Sequence, residues 1–189
     1  MVINVPYSGS YFISDARDHD MADRISILIK DQQLAFSKKL LTGHVTASAF
    51  VINMERDKVL LTHHAKLDKW LQLGGHCDGI KDPFFNAHKE AYEESGLTRI
   101  EPLSKSILDI DIHPIPEHNG VPSHSHYDIR YLFAADEREP LNITDESNDL
   151  KWVRLDQLED YNNDHRLLIM RDKLGDFIAR NSISSNRQS

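Results

Sequence analysis

Three glutamates, Glu90, Glu93 and Glu94, stand within one short run downstream of the glycine pair Gly74-Gly75, in LGGHCDGIKDPFFNAHKEAYEESGL (Leu73 to Leu97). On a helix turning about 100° per residue, the three share an arc of roughly 100°, while Phe84, Ala91 and Tyr92 lie towards the opposite side. The Glu90–Glu94 pair alone costs about 0.2–0.5 kcal/mol in an isolated helix, and Lys89–Glu93 stands in the less favourable order for relief. A solvated acidic face accounts for such a composition. So does a hard divalent cation: Mg²⁺ takes oxygen ligands and keeps several waters, so two or three carboxylates on one rigid helix suit it. The glycines favour the cation, because Gly74 and Gly75 let the backbone turn tightly and come close to a ligand or to the helix.

The helix itself is well signalled. Asp82 is a favoured N-cap, and Pro83 fits the first helical position, where its missing N–H is not needed. Gly96 suits the position just past the end, where φ is often positive. These signals predict a helix over about 83–95.

The stretch resembles the Nudix box, G-x5-E-x7-R-E-U-x-E-E-x-G-U, with U an aliphatic residue. Aligned without gaps, Gly75 matches the opening glycine, Glu90 the glutamate after the arginine, and Glu93 and Glu94 the paired glutamates. Gly96 and Leu97 match the closing pair, and Ala91 is a small stand-in for the aliphatic position. Two positions depart from the pattern: Lys81 stands where the family has its first glutamate, and Lys89 where it has arginine. Lys89 keeps the charge but not the planar fork that grips carboxylates bidentately.

The resemblance implies hydrolysis of a nucleoside diphosphate linked to another group, such as a nucleotide sugar, ADP-ribose or a nucleoside triphosphate. It implies Mg²⁺, with Mn²⁺ as an alternative, held by Glu90, Glu93, Glu94 and the Gly75 carbonyl. A base must take the proton of the attacking water, and Glu93, His126 and Glu146 are the candidates, with Glu90 beside them in the catalytic set. Two other readings stand beside hydrolysis: a Nudix-fold sensor that binds a nucleotide without cleaving it, kept open by Lys81 and Lys89, and an isopentenyl diphosphate isomerase-like enzyme using Cys77.

Eight of the eleven histidines lie between His63 and His126. In HSHYDIRYLF (124–133), His124, His126, Asp128 and Arg130 alternate with Ser125, Tyr127, Ile129, Tyr131 and Phe133, so one strand face is polar and the other apolar. The polar face lines a cleft or faces water. Some Nudix proteins with a GGH-x-D form of the box carry such a strand, which makes His124, Asp128 and Arg130 candidate substrate ligands. His-x-His-x-Asp is also similar to metallo-hydrolases of the β-lactamase type, but their next position is His and here it is Ile129. His76 beside the box is a phosphate or metal contact or a loop histidine, and His63 and His64 in THHAKLDKW touch substrate or belong to a polar turn.

The elements that position these residues follow from pattern. Residues 1–14 read as irregular, and an apolar stripe from Arg17 to Leu41 reads as one or two helices. Strands are expected at 44–53, 58–64, 70–73, 103–112, 124–135 and 149–155, with a closing helix at 164–180. The expected fold is α/β: a Nudix-type α/β/α sandwich with a mixed sheet over 44–180, an N-terminal helical extension (1–43) and a disordered tail (181–189). At 189 residues and 40% hydrophobic the chain supports one sizeable core. A net charge of −8 without a basic run argues against a nucleic-acid polymer as partner, and no apolar run approaches the ~20 residues that span a bilayer. A small phosphorylated substrate is the expected partner, and analogy with the fold allows a homodimer. One cysteine and no signal sequence suit the cytoplasm.

Overall fold

The β-branched run HVTASAFVIN forms one of the two long central strands. In the computed structural model, which describes residues 1–118 and 120–185 with side chains as far as Arg180, this is β3 (Gly43–Asn53), buried along its whole length. The preceding residues form a hairpin, β1 (Val2–Val5) and β2 (Gly9–Phe12), and one helix, α1 (Ala16–Asp31). There follow β4 (Lys58–His64), β5 (Lys69–Leu71), β6 (Leu73–His76), α2 (Pro83–Ser95), β7 (Ile100–Pro102), β8 (Asp109–Ile115), β9 (His124–Ala135) and β10 (Ser147–Arg154). A 3₁₀ turn (Leu155–Gln157), α3 (Leu158–Tyr161) and α4 (His165–Ser185) close the chain.

The sheet is mixed. β3 and β9 run parallel through eleven paired residues, from Gly43 opposite Ser125 to Asn53 opposite Ala135. The remaining pairings are antiparallel, in the order β10-β4-β3-β9-β7, with β5 on β4, β6 on β3 and β8 on β9. Val45, Ala47 and Ala49 with Ile129, Tyr131 and Phe133 face α2 and α1, whose Ala87, Ala91, Ala22 and Ile25 join that core. Phe50, Ile52, Leu132 and Ala134 face the other way, onto Leu167, Met170, Leu174 and Phe177 of α4. This is the expected α/β/α sandwich.

Several expectations change in detail. The segment read as irregular is the β1–β2 hairpin, whose turn holds Tyr7 at φ 61° and Gly9 at φ 105°. The stripe read as one or two helices is a single helix ending at Asp31, followed by turns to Thr42. The strand expected at 70–73 is two, β5 and β6, and Gly74 and Gly75 lie inside β6 rather than in a turn after it. The strand expected at 103–112 begins at Asp109, where pairing with Arg130 sets its register. The closing helix continues past Arg180 to Ser185, and the rest of the expected tail, 186–189, lies outside the described residues.

Buried charges tie the extension to the sheet. Lys173 of α4 donates to Asp18 of α1 at 2.5 Å and to Asp109 of β8 at 2.7 Å. Arg17 donates to Asp109 (3.0 Å) and Asp111 (3.2 Å). Arg130, only 2% exposed, pairs with Asp109, Asp111 and Asp128. Buried ions persist only when paired and hydrogen-bonded in this way, since removing one partner strands the other. Burial alone would raise the Asp18 carboxyl, but hydrogen bonds from Lys173, Ser14 and Tyr11 outweigh it and hold the group at about 2. A carboxyl depressed in the folded state adds stability above its ordinary value of 3.8 and loses it as the pH falls towards about 2. Asp18→Asn should therefore flatten the acid-unfolding curve between about pH 4 and pH 2. It should also lower stability at neutral pH by roughly 1–3 kcal/mol, both read by urea titration at fixed pH values.

Candidate active site

The helix signals are realised as read. Asp82 caps α2 by accepting the Phe85 N–H at 3.0 Å, Pro83 opens the helix, and Gly96 ends it in the left-handed region at φ 70°. Phe84 and Ala91 anchor the inner face, and the carboxylates lie along the flank next to β6. There the glycine pair decides the geometry. A Cβ on Gly74, whose φ is +152°, would sit 2.6 Å from the Ala47 carbonyl oxygen and 2.7 Å from the Ser48 Cα. A Cβ on Gly75 would sit 2.8 Å from a Glu90 oxygen. The first glycine lets β6 close onto β3, and the second lets the Glu90 carboxylate lie against the strand.

Glu94, 8% exposed, accepts the Gly74 N–H at 3.1 Å. Burial drives its carboxyl up to about 8; the Gly74 hydrogen bond opposes this, and the charges of Glu90, Glu146 and Glu93 add to it. Burial raises Glu90 as well, against hydrogen bonding and attraction from Lys89. Glu93 is exposed and holds Lys89 at 2.5 Å, and the same ammonium reaches Glu90 at 3.1 Å. This is a group of carboxylates short of positive charge, and Lys89 supplies part of what is missing. The donor set fits a hard divalent cation, which prefers carboxylate oxygens and would offset the crowded charge. Lys81 takes no part, since its ammonium lies 5.8 Å from the centre of the Tyr7 ring on the N-terminal hairpin.

Glu146 lies in the exposed loop before β10, close enough for its charge to act on Glu90, Glu94 and His76. Its backbone carbonyl accepts the Ala65 N–H at 3.0 Å. The THHAKLDKW histidines go elsewhere. His63 pairs with Asp68 at 3.1 Å and stacks on Trp70, and His64 accepts the Lys66 N–H at 3.2 Å inside the turn. Both serve the β4–β5 hairpin.

The alternation along β9 is realised, but its polar face does two different things. Asp128 is 3% exposed, accepts from Thr46 (3.0 Å) and Ser48 (2.9 Å) and pairs with Arg130. Arg130 also donates to the Arg166 carbonyl at the start of α4. Expected as substrate ligands, Asp128 and Arg130 are instead sealed inside the structure, because α4 covers that end of the sheet. At the open end, His124 and His126 meet His44, His76 and His113, with ring centres 5.0 to 5.6 Å from the His126 ring. Burial, and then the rings of His76, His44, His113 and His124, push His126 down to about 3, which makes it a weak proton acceptor for the role of base. His44 and His113 escaped the sequence reading. The available signal was parity: His44, Thr46 and Ser48 are the polar members of an otherwise apolar strand.

Cys77 is fully buried, and burial pushes its thiol up to about 12. A thiol so placed stays protonated and is no nucleophile, which removes the residue on which the isomerase reading depends.

The NUDIX domain family matches residues 42–172. The chain belongs to the Nudix family. As a Nudix hydrolase it is an enzyme of the pyrophosphate-cleaving class, acting on acid anhydrides. Solved structures agree with this placement. A NUDIX-family hydrolase from Clostridium perfringens is 31% identical, with a TM-score of 0.51 over 70% of this chain and 96% of the other. The C. elegans Ap4A hydrolase is 16% identical, with a TM-score of 0.58 over 71% and 97% of the two chains. The E. coli dihydroneopterin triphosphate pyrophosphohydrolase is 13% identical, with a TM-score of 0.53 over 68% and 92%. Comparison with curated protein sequences gave no match. Among the described residues of this Nudix hydrolase, no helix is long and apolar enough to cross a membrane.

The two glycines should separate cleanly by mutation. In Gly74→Ala the new methyl meets backbone at a strained φ, and stability should fall by about 1–3 kcal/mol. In Gly75→Ala it meets only the movable end of Glu90, so the loss should stay within about 1 kcal/mol while the carboxylate is pushed aside. Thermal unfolding of the two variants, with cation titration of the second, reads both effects.

Proposed function

We propose that the chain hydrolyses the diphosphate bond of a nucleoside diphosphate linked to another group, with Mg²⁺ (or Mn²⁺) held by Glu90, Glu93, Glu94 and the Gly75 carbonyl. The observation that carries this reading is the crowding of buried Glu94 and half-buried Glu90 against β6, both raised by burial, with Lys89 offsetting Glu90 and the Gly74 N–H offsetting Glu94. The substrates named for the C. elegans and E. coli neighbours belong to the same chemical class, a phosphoanhydride chain on a nucleoside-like group. When bound, a divalent ion neutralises charge on the diphosphate oxygens and lowers the pKa of an attacking water.

The protein supplies the frame. Gly74 and Gly75 bring the carboxylates to the strand, and the Gly74 N–H fixes the orientation of Glu94. Glu146 is the base we favour. It is exposed, its field reaches Glu90 and Glu94, and Glu93 is engaged by Lys89 while His126 holds protons weakly. A single buried thiol suits a reducing cytoplasm. A second reading, a sensor that binds without turnover, is favoured by one contact. Lys89, in the family's arginine position, already spans Glu90 and Glu93 and competes with a cation for them.

A phosphate-release screen in excess Mg²⁺, over dinucleoside polyphosphates, nucleotide sugars, ADP-ribose and nucleoside triphosphates, should find a substrate. Turnover should fall by about a hundredfold or more in Glu93→Gln. In Glu146→Gln kcat should fall by a similar factor while KM and cation affinity stay as in the parent. No turnover on any compound of the panel, with some of them still raising the thermal midpoint, would favour the sensor reading instead.

A further inference from the structure

The parallel register of β3 and β9 sets His44 opposite His126, and β8 sets His113 opposite His126 on the other side. These rings stand on the face of the strands turned away from α2, because Val45 and Tyr127, their neighbours in sequence, pack with the α2-side core. His44 and His126 each have a buried Nε2 without a hydrogen-bond partner among the described residues. A buried polar atom left in that state has lost its water without replacement, so two side by side require a reason.

The other ring nitrogens supply it. His44 Nδ1–H donates to the Leu40 carbonyl at 3.4 Å, and His124 Nδ1–H donates to the Pro122 carbonyl at 2.9 Å. A carbonyl only accepts, so His44 and His124 each carry a proton on Nδ1, and in the neutral ring this leaves Nε2 as the free lone pair. This is the outer arrangement that orients metal-ligating histidines. One ligand nitrogen from each of His44, His124 and His126 lies within 4.8 Å of the other two. Around a tetrahedral zinc ion they would stand about 3.3 Å apart, a closure that rotation of the partly exposed His124 allows. His113, which pairs with Asp111 at 2.8 Å, has its ring centre 5.6 Å from that of His126, and His76 borders His44 and His126.

We propose that His44, His124 and His126 form a second metal site, for a borderline transition-metal ion of the Zn²⁺ class. It is chemically distinct from the carboxylate site on α2. Three imidazoles suit zinc, copper, nickel or iron, whereas Mg²⁺ takes oxygen. The nearest carboxylate of the strand, Asp128, is committed to Thr46, Ser48 and Arg130 and is not a ligand. His76 and His113 stand ready for the fourth position. The site draws one ligand from β3 and two from β9, so an ion there pins together the open ends of the two central strands.

Untagged protein, stripped with chelator and held in excess Mg²⁺ to occupy oxygen sites, is titrated with Zn²⁺ by calorimetry and with Co²⁺ by visible absorption. The parent should bind one ion per chain, with intense Co²⁺ ligand-field bands of a low-coordinate nitrogen site. His124→Gln, at a partly exposed position, and the double variant His124→Gln/His126→Gln should bind at least a hundredfold more weakly, with circular dichroism showing both folded. Glu93→Gln should bind Zn²⁺ as the parent does, whatever its effect on hydrolysis. Parent-like Zn²⁺ affinity in both histidine variants would overturn the site, as would loss of the Co²⁺ bands in Glu93→Gln or no binding by the parent.

Discussion

The parallel pairing of β3 with β9 is the constraint from which the rest follows. Eleven residues of register set which side chains share a row, and the rows differ in kind along the strands. At one end are His44 and His126, then Thr46 with Asp128 and Ser48 with Arg130, and further on Phe50 with Leu132 under α4. A slip of one residue would turn every one of these side chains to the opposite face. The apolar rows supply the folding energy through burial. The buried ionic rows need their partners, and the histidine row lies beyond them, with His124 and His126 partly exposed.

The carboxylate site depends on that same sheet at second hand. β6 lies against β3 because Gly74 has no side chain, and α2 reaches β6 because Gly75 has none. The carboxylates are crowded there: Glu94 is placed where burial favours its neutral form and accepts the Gly74 N–H. Positive charge placed there favours the ionised carboxylates, and Lys89 supplies some of it from within α2.

How much could be read beforehand depended on whether the signal was local. The helix at 83–95 was legible to the residue because a capping aspartate, a proline and a terminal glycine each act within one turn. The strand alternation at 124–133 was legible too, since it needs only parity. What parity could not tell was the fate of the polar face. Asp128 and Arg130 are sealed by α4, thirty-six residues further on in the Arg130–Arg166 contact, while His44 joins His126 through pairing across eighty-two residues. The hairpin at 2–12 was missed because Tyr7 adopts a left-handed conformation that favours glycine or asparagine. The position of β8 was missed because pairing, rather than propensity, sets its start.

Lys173 closes a cluster whose acids were laid down far earlier in the chain, at Asp18 and Asp109. During synthesis, which proceeds from the N-terminus, α1 and β8 exist before the ammonium that joins them. Until then Asp109 has Arg17 and Arg130 as partners, whereas Asp18 has only Arg17 among the cations, at 3.4 Å. The docking of α1 and that of α4 thereby depend on each other, because Asp18 meets its ammonium only when both helices are in place. That contact spans 155 residues, and contacts of such long sequence separation carry the loop-closure cost that slows folding.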